Sequence, residues 1–126
     1  MKILFGTVEE MFVELKEKKI TEARIEPVIQ RKIVGKKTKI PYYSHQIKIT
    51  ALIEGIPAEV LVEYHAYLHG TNELMSKERA EAINKMKEII AEISELAKAC
   101  SITLKSGFYA ETGECLIGQV KTKNFH

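Results

Sequence analysis

Glu63, His65, Tyr67 and His69 alternate along one stretch of the chain, and that spacing decides what they could do. If the stretch is extended, all four side chains share one face. His65 could then serve as a general acid or base, oriented by Glu63 or by Ser44 from a neighbouring strand. It could not share a metal ion with His69, because four strand residues span ~13 Å at ~3.3 Å each. No nucleophile motif and no oxyanion-forming glycine turn accompanies these residues. The stronger reading is therefore a solvated or subunit-facing sheet surface, with Lys48 set diagonally between Glu59 and Glu63. His45, on the apolar sheet face, reads as a core histidine. No catalytic residue, metal ligand or cofactor is assigned.

A second group is basic. From Arg24 to Lys48 there are seven basic residues and one acid, Glu26. Arg31, Lys32, Lys36, Lys37 and Lys39, followed by Tyr42-Tyr43, suit phosphate contacts combined with stacking on single-stranded bases. The plainer account is a solvated hairpin tip whose lysines discourage edge pairing. Gly35-Lys36-Lys37-Thr38 imitates the end of a phosphate-binding loop, but Gln30 stands where the other glycine is needed, and a strand with Pro41 follows instead of a helix. All 17 acidic residues are Glu. The absence of Asp removes Ser-His-Asp triads, EF-hand loops and Asp-based two-metal nuclease sites.

The elements that must position these groups follow from periodicity. Ile3-Leu4-Phe5 reads as a short strand ended by Gly6. Thr7 and Glu10 form a capping box for a helix over about 8–19, with Val8, Met11, Phe12 and Leu15 on one face. Residues 21–34 read as a strand in which Pro27 marks an edge or bulge. Residues 43–53 and 56–68 alternate on either side of Glu54-Gly55. A two-residue loop there pairs Ile53 with Ile56, Ala51 with Ala58, Ile49 with Val60 and Ile47 with Val62. Carried further, the register sets Gln46 against Glu63, Ser44 against His65 and Tyr42 against Tyr67. That places the His/Glu/Tyr cluster on the sheet face away from the core. Gly70-Thr71-Asn72 breaks the strand, and Ser76 caps a long helix over about 77–99 that crosses the whole sheet. Ile102-Thr103-Leu104 and a hairpin of Phe108–Ala110 with Cys115–Ile117, turning at Thr112-Gly113, close the chain; Lys121–His126 are expected to be disordered.

A chain of 126 residues with 45% hydrophobic and 29% charged residues reads as one globular domain. The start of the chain is too short for a signal peptide and no apolar run could span a membrane, so a cytoplasmic address is expected. Cys100 and Cys115 lack the spacing of a zinc site or redox pair and read as small core residues. A net charge of +2 is too small by itself to imply a polyanionic partner.

The helix–three strands–helix order over residues 8–99 resembles double-stranded-RNA-binding domains, and with the first strand it is also similar to ribosome-hibernation factors. In the former, a basic cluster at the start of the second helix grips phosphates across a groove. Of Ser76-Lys77-Glu78-Arg79-Ala80, Lys77 and Arg79 match that cluster in kind and Glu78 departs from it. The likeness is one of topology, which does not establish function.

The expected fold is α+β, an antiparallel sheet of about five or six strands in the chain order β-α-β-β-β-α-β-β, with the long helix across one face and the short N-terminal helix beside it. The expected function is a non-catalytic binding module taking RNA or DNA through Arg31, Lys32, Lys36, Lys37, Lys39 and Tyr42. Leu52, Pro57, Leu61, Tyr42 and Tyr67 on the outer face give the alternative, a homodimeric interaction or small-ligand-binding accessory protein of the kind mobile elements encode. A small hydrolase or nuclease using Glu63 and His65 comes third.

Overall fold

The structure is a computed structural model and describes residues 1–106. Its elements are β1 (Ile3–Leu4), α1 (Val8–Glu17), β2 (Glu22–Val34), β3 (Ile40–Ile53), β4 (Ile56–Leu68), α2 (Asn72–Ala99) and β5 (Thr103–Ser106). The chain is α+β, as expected. The hairpin expected near the C-terminus, with Cys115, and the last residues lie outside the described residues.

The sheet corrects the expectation: it is mixed, not antiparallel throughout, with the spatial order β1-β4-β3-β2-β5 and five described strands. β2, β3 and β4 form an antiparallel meander, while β1 lies parallel to β4 and β5 parallel to β2. Thus β3 alone runs against the other four. The reason lies in the connections. A two-residue loop forces antiparallel pairing, whereas a helix gives the chain the length to return parallel. α1 links β1 to β2 and α2 links β4 to β5, so each helix is such a return.

Thr7 caps α1 through its side chain, which accepts from the Glu10 N–H at 3.1 Å. α2 begins earlier than the sequence suggests. Thr71, not Ser76, is its N-cap and accepts from the Leu74 N–H at 3.2 Å. At 28 residues the helix is about 42 Å long at ~1.5 Å per residue. Both helices pack on one sheet face. Met11, Phe12 and Leu15 meet Met86, Ile90, Ile93 and Ala97 over Ile25, Ile47, Ile49, Ile53 and Val60. Cys100 is half-buried against this core. None of the described helices is long and apolar enough to cross a membrane.

The β3–β4 turn is formed by Glu54 (φ 52) and Gly55 (φ 81), the left-handed pair that a tight two-residue hairpin requires. From it the predicted pairs hold from Ile53↔Ile56 through Ile47↔Val62 to Gln46↔Glu63. Then the register shifts.

Candidate functional site

Between Gln46 and His45 the β3–β4 ladder carries a bulge. Gln46 pairs with Glu63 and His45 pairs with His65, leaving Tyr64 as the additional residue on β4. One extra residue inverts the side-chain parity of everything beyond it. Ser44 therefore faces Ala66 and not His65, and Tyr67 pairs with Tyr43 and not Tyr42. His65 and Tyr67 leave the outer face and join His45 and Tyr43 on the face that α2 covers. Glu63 stays behind. The proposed four-residue cluster is thereby split.

On the outer face Ser44 Oγ donates to Glu63 Oε2 at 2.5 Å, and Gln46 Nε2 donates to Ser44 Oγ at 3.0 Å and to Gln30 Oε1 at 3.4 Å. Gln46 Oε1 is buried without a partner among the described residues. Lys48 pairs with Glu59 at 3.5 Å, as the diagonal geometry suggests. Glu63 is thus committed to the sheet and separated from His65.

On the helix face the rings form a continuous group. Tyr43 and Tyr67 have centroids 5.5 Å apart, His45 and Tyr67 5.3 Å, His65 and Tyr67 5.6 Å, and Tyr43 and His69 6.1 Å. His45 Nε2 lies 2.9 Å from the Tyr67 hydroxyl, and the Tyr43 hydroxyl 3.4 Å from His69 Nδ1. His45 is buried, and that burial, helped by nearby His65 and Arg79, holds its pKa below the usual histidine value. The neutral ring can accept the Tyr67 proton at Nε2. Burial likewise pushes the Tyr64 phenol up to about 12 and raises that of Tyr67, which Arg79 partly offsets.

His65 is held from both sides by α2. Its Nε2 lies 2.6 Å from Glu78 Oε2, and Lys85 Nζ lies 3.0 Å from its Nδ1. An ammonium can only donate, so Nδ1 accepts and Nε2 carries the proton toward Glu78. His65 Nε2 and the carboxylates of Glu78 and Glu81 also lie within 4.8 Å of one another, a spacing that would admit a divalent ion. A metal on Nε2 would put the ring proton on Nδ1, where a ligating histidine needs an acceptor. Here Nδ1 faces a cation. The arrangement fits a hydrogen-bonded Glu–His–Lys chain and not a metal centre. With the His65 side chain only 8% exposed and both ring nitrogens engaged, the chain fixes the ring and leaves no nitrogen for substrate.

The basic residues sit on the β2–β3 hairpin. Arg31 and Lys32 are exposed on β2; Lys36, Lys37 and Lys39 are exposed in the turn. Arg31 pairs with Tyr43, so Arg31, Tyr43 and Tyr67 form one row across three strands on the helix face. Lys32, Tyr42 and Leu68 form the adjoining row on the outer face. Of the Tyr42-Tyr43 pair, the ring that shares a face with Arg31 is therefore Tyr43, and not Tyr42, the one assigned to the site from the sequence. Arg79 from the first half of α2 and Lys85 from its middle were also missed as members of this group. One signal pointed to them: Glu78 lies between Met75 and Ala82 on the buried stripe of α2, where an apolar residue is normal, so a polar partner had to face it.

Compared with known protein families, curated proteins and solved structures, the chain finds no match.

Proposed function

We propose that the protein is a non-catalytic module that binds single-stranded RNA or DNA along the helix-facing side of its β2–β3 hairpin. The observation that carries this reading is the row Arg31–Tyr43–Tyr67, extended by the ring of His69 and flanked by exposed Arg79. Rings on a sheet surface stack on bases of any sequence, and the cations beside them meet the phosphates. Lys36, Lys37 and Lys39 at the tip extend the positive path, while Lys32 and Tyr42 offer a smaller contact on the other face.

Hydrolysis by Glu63 and His65 has less support, since the bulge separates the two residues and both His65 nitrogens are engaged. Fluorescence anisotropy with labelled single-stranded oligonucleotides tests the binding reading. Affinity should fall steeply with salt, and Arg31→Ala should reduce the slope by roughly one phosphate contact. Tyr43→Ala should weaken binding about tenfold or more, at ~1–3 kcal/mol per stacked base. Absence of binding at low salt, or an unchanged affinity for Tyr43→Ala, would refute it.

A further inference from the structure

Away from that row, a groove of about 770 Å³ opens between the start of α1, β4 and the second half of α2. Its apolar surface comes from Val8, Leu61, Val62, Ile89, Ile93 and Leu96. Among the described residues, the charged ones lining it are all glutamates: Glu9, Glu92 and Glu95 on the two helices, and Glu63 on β4, whose carboxylate is held by Ser44 on the outer face. The volume falls in the usual range for a site that takes a few side chains. What fits is a segment with apolar residues between positive charges.

The chain carries one. From Arg31 to Lys39 the hairpin has five basic residues and no acid, and within it Ile33 and Val34 are 49% and 38% exposed. We infer that the groove receives the β2–β3 hairpin of a second copy of this chain. Ile33 and Val34, on opposite faces of the inserted hairpin, meet opposite apolar walls of the groove, and the flanking lysines meet the glutamate rim. In this assembly the exchange is reciprocal about a twofold axis, each hairpin seated in the other copy's groove, which closes it as a dimer. Opposed charges of this density steer encounter and fix register more than they add affinity.

Sedimentation velocity on the full chain from about 1 to about 100 µM tests this. A dimer is expected at ~0.05 M salt and a shift toward monomer at ~0.5 M, where screening reaches to within a few ångströms. Two charge-reversed variants give the decisive arm, with circular dichroism confirming their fold. Glu92→Lys with Glu95→Lys makes groove and hairpin both positive; Lys36→Glu with Lys37→Glu makes both negative. Each alone should dissociate at least about tenfold more readily than the parent, and their equimolar mixture should restore the dimer. A monomer throughout the range at low salt would overturn the inference, as would variants that dimerise like the parent or a mixture that remains monomeric. The groove variant leaves the Arg31–Tyr43–Tyr67 row untouched, so failure here and failure of nucleic-acid binding are read separately.

Discussion

His45 carries the clearest acid sensitivity among the described histidines. Its folded pKa lies below the usual 6.5, mainly through burial, with nearby His65 and Arg79 acting in the same direction. Tyr64, His65 and Tyr67 are the titratable neighbours whose rings approach it. The unfolded chain therefore takes up this proton first as pH falls. The stability tied to the neutral ring is fully present above about 6.5 and is lost progressively as pH drops toward the lower folded value. The melting temperature should fall on acidification from about pH 7.5 to about pH 5.5, still above the usual carboxylate range. In His45→Gln that dependence should flatten; an equal slope in parent and variant would place the acid sensitivity elsewhere. The sequence identified His45 as a core histidine from its parity with Ile47 and Ile49, and it is indeed buried beside them. It did not reveal the Tyr67 partner, because that contact exists only on the far side of the bulge.

At the scale of elements, the bulge also explains which part of the fold was legible. Up to Gln46↔Glu63, β3 and β4 alternate cleanly between apolar and polar residues, and the register follows from the sequence alone. Beyond it, Tyr64, Ala66 and Leu68 compete with His65, Tyr67 and His69, and both sets contain large rings. Parity then carries no information, and the charged start of α2 decides which set turns inward. The parallel placement of β1 and β5 was hidden for a different reason. Strands of two and four residues have too few side chains to show which neighbour they join. The β3–β4 turn offers a direct test of its own. Glu54 occupies the left-handed region at φ 52, which costs a residue with a Cβ about 1 kcal/mol. Its contact with Lys18, at 3.1 Å, is exposed and screened by solvent. Glu54→Asn creates the Asn-Gly pair this turn prefers and should raise the melting temperature by a few degrees. A lower melting temperature would mean that the Lys18 contact outweighs the backbone cost.

For the molecule as a whole, a net charge of +2 conceals two separated fields. The hairpin tip from Arg31 to Lys39 bears five cations, and the groove carries, among the described residues, Glu9, Glu92 and Glu95 on its helical walls. The hairpin was visible in the sequence because its charges are contiguous. The groove was not, since its walls come from three elements far apart along the chain and exist only once α2 lies across the sheet. If the hairpin both enters a second copy and binds nucleic acid, the two uses compete for Lys36, Lys37 and Lys39. Single-stranded oligonucleotide added to the dimer at low salt should then drive it to a monomer–nucleic-acid complex, seen as loss of the dimer boundary with label moving at the monomer position. By linkage, the groove variant Glu92→Lys with Glu95→Lys, already dissociated, should bind the oligonucleotide more tightly than the parent at the same protein concentration. A labelled boundary that sediments with the intact dimer would show that nucleic acid and the second copy use different surfaces, and would confine recognition to the Arg31–Tyr43–Tyr67 row without the tip.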